Sequence, residues 1–441
     1  MKFCEFADIN PKEKLQKNEE YFFVEMTDIV PGNRFVYPKK KKYKGGGSKF
    51  TSGDVLFARI TPCLENGKIA QIKVENNTKC FGSTEFFVFR AKKDISDQDY
   101  IFYLAYSDII RKPAEKSMYG ASGRQRADLN AVKNIEIASI PLPTQRKIAS
   151  ILSTYDELIE NNTRRIKILE EMAQRIYREW FVDFRFPGHE KVRFIDSELG
   201  RIPEGWEVKK IGEVIQYYIG GGWGKERLEG KYSVEAYVIR GTDIPNVRRN
   251  NTSSCPLRFH TLSNFKNRKI KEGDIIFEVS GGSKDQPVGR SLLVNQKLFE
   301  NFSKPVICAS FCKLMRVNQD IISPEIFYLK LVAIYEDRSI RKYQVQSTGI
   351  SNFKFEYFLN NETIVCPIDA VQKEFSEIVG PFFDEMSLLG QKNMKLRETR
   401  DLLLPKLISG EIDVSKMDIE LEKTINNSEE SIKDKVYEKE V

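Results

Sequence analysis

The chain has 441 residues, of which 41% are hydrophobic and 30% charged, a globular composition too long for one hydrophobic core. No apolar run approaches the roughly 20 residues of a transmembrane helix, and the start MKFCEFADINPKEK has no apolar signal segment, so we expect a cytoplasmic protein without membrane contact. Seven scattered cysteines argue against a disulfide framework and only two histidines against a metal site. No glycine-rich cofactor loop follows a strand, so no cofactor is expected, and a net charge of +7 is compatible with nucleic-acid binding.

The first predicted domain covers residues 1–143 and combines short strands with one or two helices. β-Branched and aromatic residues bounded by Gly, Asn and Pro predict its strands, at Gly53–Phe57, Gly67–Val74 and Glu85–Arg90. A helix is predicted at Asp99–Ile110. Pro141 and Pro143 then end the extended structure and mark the domain boundary.

A long amphipathic helix is predicted within residues 144–187. Neither Gly nor Pro interrupts residues 144–181, and apolar side chains recur there on one helical face. At about 1.5 Å per residue such a helix measures roughly 54 Å, which is more than one domain needs to cover its own core. Pro187 and Gly188 end the segment.

Residues 188–366 predict a second globular domain, and residues 367–411 predict a second long helix. Asp369 is the predicted N-cap of that helix, with Gln372 at the capping-box position. Pro381 is expected to kink the helix or delay its start.

The segment 412–441 predicts a disordered, charged tail. Its last 27 residues, 415–441, hold eight acidic residues and five lysines, so residues 1–414 carry a net charge of +10. A basic body of this kind is compatible with a polyanionic partner.

Several short patterns occur twice and in the same order. They are Thr27–Ile29 and Thr242–Ile244, Gly53-Asp54 and Gly273-Asp274, IFYL at Ile101–Leu104 and Ile326–Leu329, and Ser122-Gly123 and Thr348-Gly349. Repeats of this length indicate two homologous domains related by a pseudo-two-fold axis. The predicted fold class is α+β, with two homologous globular domains separated by two long antiparallel, coiled-coil-like helices. Such a protein suits a long target with two half-sites, such as duplex DNA.

The two predicted helices take part in the repeat. One row of positions recurs after 227 residues, pairing Ile148, Tyr155, Asn162, Leu169 and Ile176 with Phe375, Phe382, Leu389, Leu396 and Leu403. A single amphipathic helix would normally pack on its own domain. Equal length and matching register favour packing of the two helices on each other, with the polar Asn162 fixing their register.

No segment of the chain predicts a catalytic site. Gly220–Lys225 resembles a phosphate-binding loop, but Ile219 replaces its first glycine and Glu226 replaces the Ser/Thr that would bind magnesium. Glu207–Lys209 after Asp196 matches a nuclease cluster only loosely. An enzyme with an unrecognised site and a scaffold that binds proteins or RNA remain the alternatives to DNA binding.

Donor-rich segments at equivalent places in the two repeats are the candidate DNA contacts. In the first repeat they are Lys39, Lys40, Lys42, Lys44, Ser48, Lys49, Tyr119, Ser122, Arg124, Gln125 and Arg126. In the second they are Arg248, Arg249, Asn250, Asn251, Gln346, Ser347, Thr348, Asn352 and Lys354. Arg pairs bidentately with guanine, Asn and Gln pair with adenine, and Ser and Lys suit phosphates. We expect loops that differ in length and chemistry to read different sequences, although charged runs are often only solvated surface.

Over nearly its whole length the chain resembles the specificity subunits of Type I restriction–modification systems. The resemblance rests on the duplicated Gly-Asp strands and on the proline-then-glutamine helix start at Ile140–Ile148. It also rests on AQRIYREWFVDF at Ala173–Phe184, IPEGW at Ile202–Trp206 and LLPKLISGEI at Leu403–Ile412.

The resemblance implies that each globular unit is a target-recognition domain for one half of a split double-stranded DNA site. It further implies that the helices set the spacer between the half-sites and dock two methyltransferase (M) subunits. A restriction/translocase (R) subunit would join that core, and the chain itself would be non-catalytic.

Overall fold

The computed structural model describes residues 1–121, 123–282, 286–347 and 350–417. The chain divides into two compact units, the first formed by Met1–Glu160 with the chain from Leu396 onward and the second by Asn161–Lys395. The divisions fall inside two long helices, whereas sequence analysis treated these helices as segments of their own. The reason is that each helix contributes apolar side chains to the core of both units.

The first unit combines short strands with helices. Its strands are β1 Ala7–Ile9, β2 Glu20–Val24, β3 Phe35–Val36, β4 Lys39–Lys42, β5 Ser48–Thr51, β6 Val55–Ala58, β7 Ile69–Ile72, β8 Lys79–Gly82 and β9 Phe86–Ala91. Its helices are α1 Phe3–Phe6, α2 Gln98–Tyr106, α3 Asp108–Lys116, α4 Leu129–Lys133 and the first part of α5, Leu142–Phe181. One sheet has the order β1-β9-β6-β7-β3 and a second has the order β4-β2-β8-β5. All four residues of β6 are buried, as expected for a central strand covered on both faces.

The second unit repeats this α+β architecture with additional strands. Its strands are β10 Phe194–Ser197, β11 Gly200–Pro203, β12 Glu207–Lys210, β13 Ile215–Gly220, β14 Tyr232–Ile239, β15 Leu257–Thr261, β16 Ile275–Glu278, β17 Ser280–Gly281, β18 Ser291–Leu293, β19 Val306–Cys308, β20 Cys312–Val317, β21 Gln344–Ser347, β22 Ile350–Phe353 and β23 Thr363–Cys366. Its helices are α6 Ile211–Val214, α7 Ile244–Val247, α8 Leu262–Arg268, α9 Gln296–Phe299, α10 Pro324–Glu336, α11 Phe355–Asn361 and most of α12, Asp369–Ser409. The sheet β13-β20-β16-β18 carries the counterpart of β6 as its buried strand β16.

The repeated Gly-Asp pair anchors the same ion pair in both units. Asp54 accepts two bonds from Arg90, at 2.8 and 2.7 Å, and Asp274 accepts two from Arg316, at 2.7 and 2.8 Å. The glycine before each aspartate has a positive φ, of 81° and 78°, which a turn entering a central strand requires. The duplicated motif is therefore explained by a buried carboxylate that joins two neighbouring strands.

A glutamine near the start of each long helix is also duplicated, and it corrects one prediction. Gln145 and Gln372 each form three side-chain bonds to the backbone of their own unit, at 2.8 to 3.0 Å. The partners of Gln145 are the amide of Asp97 and the carbonyls of Ile95 and Ile140, and those of Gln372 are the amide of Ser323 and the carbonyls of Ile321 and Pro367. Gln372 therefore fastens the helix start to the domain and does not form a capping box with Asp369.

The long helices begin and end close to the predicted positions, with two corrections. The first ends at Phe181, six residues before Pro187, and the second begins at Asp369 and continues through Pro381, which does not delay its start. Gly410, with φ of 78°, follows the last helical residue as a left-handed C-terminal cap. Among the described helices, none is long and apolar enough to cross a membrane.

In the second unit the two helices pack on each other in antiparallel order. Asn162 Nδ2 donates to Asn393 Oδ1 at 2.9 Å, and the rings of Trp180 and Phe375 lie 5.6 Å apart. Asn162 thus meets the amide of Asn393 across the helix pair. The pairing satisfies two partly buried polar groups at once.

In the first unit the helix segments share one core and one buried ion pair. Ile148 and Leu152 from α5 join Leu404 and Leu407 from α12 in the apolar cluster of that unit. The Arg400 guanidinium pairs with the Asp156 carboxylate, and both side chains are 2% exposed.

Only some of the residues predicted to form the contact between the helices are buried. Ile148, Phe375 and Leu389 are buried, whereas Tyr155, Asn162, Leu169, Ile176, Phe382, Leu396 and Leu403 are half-buried. The fully buried row on α5 is Leu152, Ile159, Ile166, Ala173 and Trp180. Each helix packs on its unit's core as well as on the other helix, and this shifts the centre of its buried face.

The first residues of the predicted disordered tail are ordered. Val414 is buried in the first unit, and Lys147 Nζ donates to the carbonyls of Ser415 and Met417 at 2.9 and 2.7 Å. The prediction of disorder is therefore wrong for residues 412–417. Residues 418–441 lie outside the described residues.

Candidate nucleic-acid interface

The lysine run of the first unit forms a strand, and not the loop that the sequence suggested. Lys39–Lys42 are exposed in β4, at the edge of its sheet, where they pair with β2. Lys41 Nζ lies 3.8 Å from the centroid of the Phe23 ring and 3.2 Å from Glu25 Oε1. Lys44 is exposed just beyond the strand. A strand fixes the spacing of these cations more rigidly than a loop would.

Aromatic rings accompany the lysines on one face of this sheet. Lys49 pairs across the sheet with Phe81, and its Nζ lies 5.7 Å from the centroid of the Tyr43 ring. Tyr43 in turn packs against Phe81, with ring centroids 5.0 Å apart. Ser48 is half-buried and donates to a backbone carbonyl of Phe86 at 2.9 Å, so its hydroxyl hydrogen is already in use.

The second predicted segment of the first unit is a narrow loop beside the end of β6. Tyr119 and Arg126 exchange two backbone bonds, of 3.1 and 2.9 Å, and the amide of Thr61 donates to the carbonyl of Gln125 at 3.0 Å. Tyr119 is 64% exposed and Arg124 is also exposed. Ser122 lies outside the described residues.

Arg126 is held by a carboxylate. Glu85 accepts from Arg126 Nη2 at 2.7 Å and from Nε at 2.9 Å, and Arg59 Nε approaches the same carboxylate at 3.4 Å. Hydrogen bonding from Arg126 lowers the pKa of Glu85, and Arg59 adds to the effect. The guanidinium of Arg126 thus already has hydrogen-bond partners, whereas the side chain of Arg124 is exposed.

The corresponding segment of the second unit is the hairpin β21–β22. Its strand β22 pairs with β17, so that Asn352 lies opposite Ser280, whose hydroxyl donates to Asn352 Oδ1 at 2.8 Å. At the repeat separations of 220 and 226 residues, Ser280 and Asn352 correspond to Ile60 and Arg126, which also pair as a β-bridge. Gln346 and Lys354 are exposed here. The side chain of Ser347 and all of Thr348 lie outside the described part of the chain.

Within the predicted segment Arg248–Asn251, the prediction for Asn250 is corrected by the packing of the turn after α7. Asn250 is 2% exposed and donates from Nδ2 to the carbonyl of Ser387 at 2.5 Å, and Arg248 Nε donates to the carbonyl of Ser291 at 2.8 Å. Asn250 is therefore unavailable to DNA, because its turn packs against α12. Asn251 is half-buried and Arg249 exposed.

Sequence reasoning missed a cavity of about 500 Å³ in the second unit, beside β17. Its lining includes the side chains of Trp223 and Phe311 and the buried pair Glu278–Arg290. Trp223 belongs to the glycine-rich segment Gly220–Lys225, which departs from a phosphate-binding loop at Ile219 and Glu226. The sequence signal that could have indicated the cavity is an aromatic residue within a run of glycines. Glycines allow the backbone to pack closely, so a large ring among them can lie against another segment of the chain.

His260 and possible metal ligands complete the inventory of reactive groups. His260 is 1% exposed in β15, where Gly224 of the glycine-rich segment packs against its ring. Burial lowers the pKa of His260, and Arg268 adds to this shift. Within the described ranges, no group of three or more His, Cys, Asp and Glu residues is placed to hold a metal ion.

These features define a class of protein with two α+β domains of one architecture, each carrying polar side chains on a hairpin or loop beside its central strand. The sequence model of the Type I restriction modification DNA specificity domain matches residues 3–171 and again residues 203–398. The chain belongs to this family, as a specificity subunit of a Type I restriction–modification system. The resemblance found in the sequence and the α+β fold class with a duplicated domain are confirmed.

The chain is also similar to individual specificity subunits of known sequence or structure. The chain is 25% identical over 335 residues to the Type I restriction enzyme MjaIX specificity subunit of Methanocaldococcus jannaschii, covering 74% of this chain and 71% of that protein. It is 22% identical to the HindI specificity subunit of Haemophilus influenzae, covering 88% and 94% of the two chains. It is also similar to the crystal structure of a Type I restriction–modification S subunit from M. genitalium, with a TM-score of 0.49, 14% identity and coverage of 92% and 95%.

Proposed function

We propose that the chain reads a bipartite duplex target, with each unit recognising one half-site. The observation that carries this proposal is the pair of equivalent positions beside β6 and β16. The same backbone bridge presents Arg126 in the first unit and Asn352 in the second. A shared backbone scaffold that carries different side chains, with Arg124 beside the first bridge and Gln346 beside the second, is what two readers of different sequences require.

The exposed cations supply the sequence-independent part of binding. Lys39, Lys40, Lys42 and Lys44 present four ammonium groups along one edge of the first unit. Such groups neutralise phosphates and release counterions, so affinity for duplex DNA should fall steeply with salt. Arg124 and Gln346 are better placed to read base edges, since both are exposed near the bridge positions.

The long helices are proposed to hold the two domains apart and thereby to set the spacer between the half-sites. Their outer faces are proposed to dock two methyltransferase subunits, with restriction subunits joining the assembly. The chain itself is then non-catalytic and works without a cofactor, in the cytoplasm where its DNA lies. The alternative, a scaffold that binds proteins or RNA, is not supported by the family assignment.

The test is selection of duplexes from a randomised pool by the full chain in complex with its methyltransferase partners. We expect enrichment of two short motifs separated by a gap of constant length, and binding that weakens linearly on a log–log plot against salt. Enrichment of no motif, or of single-stranded RNA in a parallel pool, would refute the proposal.

A further inference from the structure

The cavity beside β17 combines exposed aromatic walls with a charged floor. Phe311 is 61% exposed and Trp223 is 39% exposed, so both rings reach solvent at the cavity. Arg258 lies over the Trp223 ring, with its guanidinium carbon 4.7 Å from the ring centroid. Exposed rings beside a cavity are typical of a surface that acquires a partner.

The floor of the cavity is rigid and polar. Glu278 is 1% exposed and bonds Arg290, with Nε to Oε2 at 2.9 Å. A side chain at Gly241 would place its Cβ 2.5 Å from Glu278 Oε1, so glycine is required there for the carboxylate to sit where it does. Arg240 also lines the cavity, fixed by two bonds to Asp243 at 2.8 and 2.9 Å.

The two units differ in chemistry at this place. Phe311 immediately precedes β20 as Glu85 precedes β9, and Asn352 takes the place of Arg126. The first unit fills the position with the ion pair of Glu85 and Arg126. In the second unit a ring and an amide replace that pair, next to the aromatic-walled cavity.

We propose that this cavity accepts a single nucleobase of the DNA, taken out of the duplex stack and stacked on Phe311 and Trp223. The proposal deepens the proposed function, on which it rests. A base has a flat apolar face, which suits the rings, and an edge of donors and acceptors, which suits a floor of carboxylate and guanidinium groups. The volume is in the range of pockets that enclose small planar ligands.

The test is a double-mutant cycle between the protein and the DNA. The selected duplex is prepared with each base of the second unit's half-site removed in turn, leaving an abasic sugar. Binding is measured for the wild-type complex and for Phe311→Leu, Phe311→Tyr and Ile368→Ala. Ile368 is an exposed apolar residue of the same unit that does not line the cavity, and it is the matched control.

For the wild type, Phe311→Tyr and Ile368→Ala, removal of one particular base should weaken binding by about 5- to 100-fold, the usual range for a stacked base. For Phe311→Leu, the intact duplex should bind more weakly by a similar factor, and removal of that base should then have little further effect. Unchanged melting of Phe311→Leu would show that the fold is intact, as expected for an exposed side chain.

Equal losses for Phe311→Leu and wild type at every abasic position would overturn the proposal. Weaker assembly of Phe311→Leu with the methyltransferase subunits, with DNA binding unchanged, would also overturn it and would identify a protein-docking surface. Failure of the proposed function is distinguishable, because the wild-type complex would then select no bipartite duplex at all.

Discussion

The two arginines of the loop after α3 differ in whether they are bound by Glu85. It holds Arg126 by a bidentate bond, while Arg124 projects from the same loop as an exposed side chain. A guanidinium that is already paired must break its bonds before it can meet guanine, whereas an exposed one need not.

Arg124→Ala is therefore expected to relax recognition in one half-site only, at a cost of about 1–3 kcal/mol in binding, with an unchanged melting temperature. Arg126→Ala should instead lower the melting temperature, because Glu85 loses its principal partner. Competition binding against half-site variants and thermal melting distinguish the two. Uniform loss on all duplexes after Arg124→Ala would show a phosphate contact in place of base reading.

We expect His260 to make the second unit less stable in acid. No hydrogen-bond partner for either ring nitrogen is found among the described residues, and burial lowers the pKa below the ordinary value of 6.5. The unfolded chain therefore binds a proton that the folded chain resists, so this stability is present above about pH 6.5 and is lost as the pH falls.

We expect the melting temperature of the wild type to decline between pH 7.5 and pH 5. His260→Leu removes the titrating ring from its apolar site and should flatten part of that decline. His189→Leu is the matched control, because that ring is only half-buried. Identical pH profiles for the wild type and His260→Leu would contradict the assignment.

Replacing either of two glycines of α12 by alanine is expected to change the free energy of unfolding in opposite directions. A Cβ at Gly390 would lie 2.4 Å from the Arg249 carbonyl oxygen and 2.7 Å from Asn250 Cβ, whereas a Cβ at Gly380 would meet nothing within 4 Å. Alanine is favoured over glycine inside a helix by about 1 kcal/mol when no contact intervenes.

Gly390→Ala should therefore lower the free energy of unfolding by about 1–3 kcal/mol through overpacking, and Gly380→Ala should raise it by up to about 1 kcal/mol. Denaturant unfolding of both variants measures the difference. Equal stabilisation by the two substitutions would mean that the turn after α7 does not pack on the helix as described.

The helices use different chemistry in the two units. The buried pair Asp156–Arg400 of the first unit corresponds, at a separation of 227 residues, to Phe383 and Ala173 of the second. Asp156 also accepts from the Tyr103 hydroxyl at 2.6 Å. The second unit shows that an apolar contact can occupy this place in the repeat.

Asp156→Ala should cost about 3–5 kcal/mol, because it removes the buried carboxylate from the Arg400 guanidinium and leaves only the more exposed Asp401 as its ionic partner. The double variant Asp156→Leu with Arg400→Met should recover most of that loss, since neither charge then remains. Chemical unfolding compares the two. A double variant as unstable as Asp156→Ala would indicate that the hydrogen bond to Tyr103, and not the charge, dominates.

For the whole molecule, the helix pair predicts how the target changes with helix length. Seven residues inserted after Glu160 and seven after Lys395 would lengthen both helices by about 10 Å, close to three base pairs of B-DNA. The selected spacer should grow accordingly, while the half-site motifs stay the same. An insertion in one helix alone is the control and should impair binding, and an unchanged spacer in the doubly extended chain would reject the helical ruler.

Local sequence patterns determined the duplicated domain, the two long helices and the family of this protein. The repeated Gly-Asp pairs and IFYL segments, and the uninterrupted amphipathic runs, consist of residues close together in the sequence. They can therefore be recognised from the sequence without knowing which distant segments pack on them. Tertiary structure alone decided that Asn250 is buried, that the lysine run is a strand and that Phe311 and Trp223 border a cavity. Whether a side chain is buried depends on which distant segment packs against it, as the segment of Ser387 does for Asn250. The local pattern of apolar and polar residues does not specify that segment.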